Sequence, residues 1–316
     1  MDFNELIDKY EKDNNIEDFL LSVEKSKSLK LDNRYRLLVS GYRSGSNWFI
    51  YIIQLILSEA MNTSPVDDED FLINNFEIGS LDRTRKMFFK NNLTTDEINE
   101  KTNNNNKDNG IILLKQNMID FQIQSKANYM LLLRNPKDVF NSTFKAIIKR
   151  LQTKHPEVNI GSPQHYQEFL DYWLSDRLHK RHDYFSFVNY YWKYRSESNF
   201  QIILYEDMIR EPRKAIETIA QFLGDEYRKR LSDVMNDNIE STGSSETLLD
   251  RIERLASIDA MKPIFDRQDN WRIRKGINED WRSHMTKEQS DAIDRKIATE
   301  WKGTGIELLW EREMKW

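Results

Sequence analysis

Apolar positions in this chain come as short continuous runs and as longer stripes with helical spacing, and the two kinds alternate. Leu6, Ile7, Tyr10, Ile16, Phe19, Leu20 and Val23 recur at mostly helical intervals, which predicts one or two packing helices within residues 1 to 31. Tyr35 to Tyr42 (YRLLVSGY) reads as a buried strand that gives way to RSGSN, and WFIYIIQLILSEA then reads as a largely apolar helix. The stretch from Asn91 to Asn109, with NNNN at Asn103 to Asn106, is poor in apolar residues and predicts a mobile surface loop. Beyond it, Ile111 to Leu114 and Tyr129 to Leu133 read as strands. The second stops at RNPKD before a helix with Val139, Phe140, Thr143, Ile147, Ile148 and Leu151 on one side. Helical patterns cover about Ser162 to Ser175 and His182 to Ser198, and QIILYEDM reads as a strand running into a helix that ends near Gly224. The last ninety residues are mostly helical around one irregular basic stretch, WRIRKGINEDW.

Strands alternating with helices predict an α/β fold with a mainly parallel central sheet flanked by helices on both faces. With 316 residues, no internal repeat and no Pro- or Ser-rich linker, a single domain over residues 1–316 is the simplest division. The net charge of -5 offers no general attraction for nucleic acid or an anionic membrane, so a polyanion would need a local basic pocket. No Cys is present, which excludes disulfides, thiol nucleophiles and Cys-based zinc sites. The five His form no H-E-x-x-H arrangement, and His179 and His182, three apart on a predicted helix, fit a solvated face better than a metal site. No apolar run approaches the roughly 18 residues of a membrane span, and the start, MDFNELIDKYEKDNN, lacks a basic region followed by an apolar one. A cytoplasmic protein is expected, with neither nucleic acid nor membrane as partner.

The loop SGYRSGSN is where phosphate chemistry enters. Between a strand and a helix, successive backbone N–H groups and the positive end of the helix dipole can face phosphate oxygens. Gly41 and Gly45 permit tight backbone paths, Ser44 and Ser46 supply hydroxyl donors, and Arg43 can make two parallel charge-assisted bonds to an anion. Taken alone, the same residues also fit an ordinary connection. The loop is not a Walker A sequence, because G-x-x-x-x-G-K-[ST] is absent and no Lys follows Gly45.

Tyr42 to Trp48 stand as Y-R-S-G-S-N-W, which resembles P-K-[ST]-G-[ST]-[TN]-W, the phosphosulfate-binding loop of sulfotransferases that use 3′-phosphoadenosine 5′-phosphosulfate (PAPS). RNPKDVFNS, Arg134 to Ser142, resembles the family's second signature, R-[ND]-[PA]-[KR]-[DE] with a Ser eight residues after the Arg. Tyr205 in ILYEDM and Arg274, Lys275 and Gly276 in RIRKGINEDW resemble two further family segments, in the family's order and at similar spacing. The similarity runs from about Tyr35 to Trp281 and is continuous only around these motifs. It implies a P-loop-like sulfotransferase fold, PAPS as donor, 3′-phosphoadenosine 5′-phosphate (PAP) as product, no metal, and a small-molecule acceptor. Ser44, Gly45, Ser46 and Asn47 would then hold the 5′-phosphosulfate, with Arg43 in place of the usual catalytic Lys, as in carbohydrate-modifying members. Trp48 and Tyr205 would contact the adenine, Arg134 and Ser142 would hold the 3′-phosphate, and the Arg274 to Gly276 segment would close over it. Outside the motif, Trp48 also fits the core, and Arg134 with Asp138 also fits a surface ion pair at a helix start.

Several positions depart from the family pattern. Ala256, Ser257 and Ile258, before Met261 and Lys262, replace a Thr-Ser-Phe run, which leaves Ser257 as the candidate adenine contact. A C-terminal dimer signature survives only as Arg282, Thr286 and Asp291, with Lys287 in place of Val, and no dimer is expected from it. IILLKQNMI resembles I-I-K-T-H-L-P, which assigns Lys115 to the sulfuryl group and puts Asn117 where cytosolic members keep a catalytic His. An amide cannot act as a base at neutral pH, so Asn117 is expected to position the acceptor. Glu69 and Asp70 in SPVDDEDF, in the region where glycan-modifying relatives keep a Glu base, are the candidate bases, although an acidic turn also fits plain solvation. The expected function is transfer of a sulfuryl group to a hydroxyl or to an amine or amide nitrogen. The alternatives are a small-molecule kinase of related architecture and a non-catalytic nucleotide-binding module.

Overall fold

The computed structural model describes residues 3, 5–8, 31–60, 112–116, 123–175, 183–235, 246–266 and 276–316, with backbone alone at 59–60, 112–116 and 263–266. Four strands form one sheet: β1 (Tyr35–Ser40), β2 (Ile112–Gln116), β3 (Asn128–Leu133) and β4 (Phe200–Leu204). Their order is β2-β1-β3-β4, and every adjacent pair is parallel. Tyr35 pairs with Ile112, Leu37 with Tyr129 and Leu131 with Ile202, so the strand ends that carry the sequence motifs come out on the same side of the sheet. Parallel strands buried on both faces read as continuous apolar runs, as YRLLVS and NYMLLL do.

Alternate residues of β1, β3 and β4 feed two separate cores. Leu37, Val39, Tyr129, Leu131 and Leu133 pack with α2 (Pro136–Lys154), α3 (Pro163–Leu174), α4 (Tyr184–Trp192) and the C-terminal aromatics Trp281, Trp301 and Trp310. Leu38, Met130, Leu132 and Ile203 pack instead with α1 (Ser46–Ala60), α6 (Pro212–Leu223) and α8 (Leu248–Leu255). Helices therefore cover both faces, as the alternation of elements predicts. No described helix is long and apolar enough to cross a membrane.

Element ends differ from the sequence expectation in physically instructive ways. The strand expected over Tyr35 to Tyr42 stops at Ser40, because Ser44 N–H turns back to the carbonyl of Gly41. The helix expected to start at Trp48 starts at Ser46, with both Trp48 and Phe49 N–H groups donating to the Gly45 carbonyl. The helix expected over His182 to Ser198 spans Tyr184–Trp192, and turns follow it. The segment after β4 is not one helix but two, α5 (Tyr205–Arg210) and α6, broken at Glu211 (φ -132, ψ 64) because the residue before Pro212 is steered out of helical geometry. Tyr205 accordingly opens a helix rather than ending a strand. The expected N-terminal helices reach the described residues as helical positions at 3 and 5–8, and the expected loop at 91–109 lies outside them.

The remaining helices are α7 (Asp225–Arg230), α9 (Ile258–Asp266) and α10 (Lys287–Glu300). The residues of the weak dimer pattern have local duties. Thr286 caps α10 in a capping box with Gln289, Lys287 pairs with Asp291 at 2.8 Å, and Arg282 pairs with Glu279 at 2.6 Å.

Candidate functional site

The loop after β1 is shaped by two tyrosine rings. A Cβ on Gly41 would lie 2.9 Å from the Tyr184 ring, and one on Gly45 would lie 2.4 Å from the Tyr205 ring. Gly45 also has φ +96, in the region where L side chains are strained. The loop passes between two fixed aromatic walls that leave no room for a side chain at either glycine. Ser44 is fully buried beneath the loop, whereas Arg43, Gly45, Ser46 and Asn47 are partly exposed. Ser46 and Asn47 occupy the first turn of α1, where backbone N–H groups precede any intrahelical acceptor and the helix dipole favours an anion. Arg43 has φ 63, a left-handed conformation uncommon for a non-glycine residue and concentrated at functional sites.

Arg134 follows the last residue of β3, and Ser142 lies nearly two turns into α2, whose first turn takes Pro136 without losing a useful N–H. Both are buried, Arg134 at 7% and Ser142 at 5% exposure, and Asp138 is at 1%. The reading of Arg134 with Asp138 as a surface ion pair is thereby set aside. Asp138 instead accepts the backbone N–H groups of Glu279 (2.8 Å) and Trp281 (3.1 Å), pinning the segment that follows Gly276 onto α2. Burial pushes the Asp138 carboxyl above its ordinary range, opposed by Arg134 and those two N–H groups.

The two loops meet. Arg43 Nε donates to Ser142 Oγ at 3.1 Å, and Arg134 Nη1 lies 3.4 Å from the Arg43 carbonyl oxygen. The Arg134 guanidinium sits over the Tyr205 ring at 4.2 Å, and its buried Nε has no hydrogen-bond partner among the described residues. Trp48 meets Tyr205 edge to face at 5.7 Å and donates its indole N–H to the Ala256 carbonyl at 2.8 Å. At 8% exposure, Trp48 lies in the core as well as beside the loop.

Other expected residues are placed as follows. Gly276 (φ +59) lies against Ile258, whose Cδ1 would be 2.2 Å from an added Cβ, so the residue standing in the family's Phe position touches the late glycine segment. Ser257 is exposed, and its Oγ accepts the N–H of Ala260 at the start of α9. Lys115 has its backbone in β2, paired with Leu38. Glu69, Asp70, Asn117, Arg274 and Lys275 lie outside the described residues, as do His179 and His182. Among the described residues, no group of three His, Cys, Asp or Glu could hold a metal ion.

Sequence reasoning missed Tyr184, Asn135 and Glu206. The Tyr184 hydroxyl accepts Arg134 N–H at 3.0 Å and donates to the Arg134 carbonyl, and burial raises its pKa. Nothing local marks Tyr184, which reads as one more aromatic on an amphipathic helix. Asn135 does carry a signal, since an Asn directly before a Pro-opened helix is a good cap, and its side chain accepts Lys137 N–H.

In open α/β sheets ligands bind beyond the carboxyl ends of the parallel strands, and both motif loops leave the sheet on that side. The family model described as "Sulfotransferase domain" matches residues 34–305, and the chain belongs to that family. It is 26% identical over 173 residues to Sulfotransferase 2A1 of Macaca fascicularis, covering 54% of this chain and 55% of that protein. It is 26% identical over 205 residues to the amine sulfotransferase of Oryctolagus cuniculus, covering 59% and 58%. The matched stretches thus span little more than half the length of these relatives. Mouse sulfotransferase SULT7A1, solved as a complex with PAP, shares the fold over 91% of both chains, with a TM-score of 0.59 and 16% identity.

Proposed function

We propose that this chain, acting as one cytoplasmic domain, transfers a sulfuryl group from PAPS to a hydroxyl or to an amine or amide nitrogen of a small-molecule acceptor, and releases PAP. The observation that carries the reading is the meeting of the two motif loops at Arg43, Ser142 and Arg134. A buried guanidinium with one unpartnered N–H is costly unless an acceptor arrives, and an anion is the ligand that supplies one. The backbone N–H groups in the first turn of α1, at Ser46 and Asn47, suit the same class of ligand.

Bound PAPS supplies an activated sulfuryl group whose departure leaves PAP. Arg43 and Lys115 stabilise the negative charge that grows during transfer. Arg43, always protonated, acts by its charge and cannot donate a proton. Arg134 and Ser142 hold the 3′-phosphate, Ser44 to Asn47 the 5′ side, and Trp48, Tyr205 and Ser257 border the adenine. The Arg274, Lys275, Gly276 segment covers the nucleotide. Asn117 orients the acceptor, and Glu69 or Asp70 accepts its proton. The likeness to an amine sulfotransferase keeps nitrogen acceptors in the proposal beside hydroxyls.

Incubation with PAPS and a panel of phenols, alcohols, amines and carbamoyl compounds, read by mass spectrometry, tests the proposal. A sulfated product formed together with PAP supports it. Phosphorylated products formed from ATP and Mg²⁺, with none from PAPS, would establish a kinase instead. Tight PAP binding with no PAP released from PAPS by any acceptor would leave a binding module.

A further inference from the structure

The corner that joins β3 to α2 presents Arg134, and its next residue, Asn135, has every polar atom engaged. Its N–H donates to Glu206 Oε1 at 2.9 Å, its Oδ1 accepts Lys137 N–H at 2.9 Å, its Nδ2 donates to the Glu313 carbonyl at 3.2 Å, and its own carbonyl accepts Val139 N–H at 3.0 Å. Glu206 is fully buried, and its second oxygen, Oε2, accepts the indole N–H of Trp310 at 2.9 Å. Trp310 is itself 2% exposed, so this carboxylate is shut between the nucleotide corner and the C-terminal segment. Tyr184 holds the N–H and carbonyl of Arg134 from the other side, and Trp301 meets the Tyr184 ring edge to face at 6.5 Å. The backbone of 134 and 135 is therefore fixed at every hydrogen-bonding group named, while Arg134 Nε remains without a partner among the described residues.

We propose that Glu206 is a positioning residue for the donor's 3′-phosphate, and that Trp310 completes it. The carboxylate, clamped by the indole, fixes Asn135 and thereby the direction in which Arg134 presents its guanidinium. Glu206 also directly follows Tyr205, the ring on which that guanidinium rests, so one buried group anchors both the corner and the platform. Such positioning is needed because an arginine's fork binds a phosphate well only in a narrow range of orientations. Burial raises the Glu206 pKa to about 7, while the Asn135 N–H, the Arg134 charge and the Trp310 N–H pull the other way by favouring the ionised form. The inference rests on the assignment of Arg134 to the 3′-phosphate made above.

Calorimetric titration with PAP and with 5′-AMP, which lacks the 3′-phosphate, tests it on the full chain and on Glu206→Gln, Trp310→Phe, Arg134→Ala and the Arg134→Ala/Trp310→Phe double variant. Glu206→Gln and Trp310→Phe are expected to weaken PAP binding by about tenfold and to change 5′-AMP binding by less than about twofold. The double variant is expected to bind PAP no more weakly than Arg134→Ala alone, because the indole acts through the arginine. Equal losses for both nucleotides, or unchanged PAP affinity in Trp310→Phe while Arg134→Ala loses it, would overturn the positioning role. Unchanged PAP affinity in Arg134→Ala would instead overturn the underlying site. Should Glu206→Gln not fold, Trp310→Phe carries the test, since it removes one N–H and keeps an aromatic ring.

Discussion

Replacing Gly45 by Ala perturbs the loop at the point where it has least room. The residue has φ +96, so a side chain there brings a backbone cost of roughly 1–2 kcal/mol. The added Cβ would stand 2.4 Å and 2.5 Å from two carbons of the Tyr205 ring, closer than any real contact. Tyr205 is 6% exposed and carries Arg134 on one face, so the ring cannot swing away without disturbing the arginine. Overpacking of this kind adds roughly 1–3 kcal/mol, for a total near 2–5 kcal/mol. Gly303→Ala is a matched control, because Gly303 has φ +75 and nothing within 4 Å of an added Cβ, and it should lose only the backbone share of about 1–2 kcal/mol. Urea denaturation of the two variants isolates the steric part, and calorimetry with PAP should show weakened binding in Gly45→Ala alone. Equal destabilisation of both variants, with PAP affinity retained, would refute the account of a loop confined by Tyr205.

Three further outcomes are expected, the last of them from the sequence pattern. Arg43→Ala should lower turnover by about 10²-fold or more at saturating PAPS while PAP binding falls much less, and Arg43→Lys should keep part of the activity, as steady-state kinetics will show. Glu206 has its pKa raised by burial to about 7 from 4.5, so its contribution to stability is fully present below about pH 4.5 and lost as pH rises through about 7. The loss is about 2–4 kcal/mol, and denaturation between pH 5 and 8 should show this slope in the parent chain and a flatter one in Glu206→Gln. If a carboxylate takes the acceptor proton, Glu69→Gln or Asp70→Asn should cut turnover by roughly 10²-fold without weakening PAP binding, and Asn117→Ala should do less. Normal turnover in both carboxylate variants, with collapse in Asn117→Ala, would leave an acceptor that needs no base.

Much of the loop chemistry was legible because it is local. YRLLVS, then Gly41 to Asn47, then an apolar helix is a strand, loop, helix unit in the sequence itself, and Arg134 to Ser142 straddles a strand end and a Pro-opened helix in the same way. Ends were less legible where a side chain or a proline decides them. The hydroxyl and amide residues Ser46 and Asn47 read as loop but begin α1, and the break at Glu211 depends on the restriction that Pro212 imposes on its predecessor. Least legible were the supports. Tyr184 reaches Arg134 across 50 positions, and Trp310 reaches Glu206 across 104, distances over which no periodicity in the sequence reports a contact. Asp138 shows the same limit, since the charge that suggests a surface pair is satisfied by two N–H groups from beyond Gly276.

The most direct test of the central claim, that the Arg43, Arg134 and Ser142 corner receives a 3′-phosphorylated adenine nucleotide, is a thermal-shift comparison of the full chain with PAP and with ADP plus Mg²⁺. The account predicts stabilisation that is larger with PAP than with ADP and Mg²⁺ and that disappears in Arg134→Ala. Greater stabilisation by ADP with Mg²⁺, or a PAP effect that survives the loss of Arg134, would contradict it.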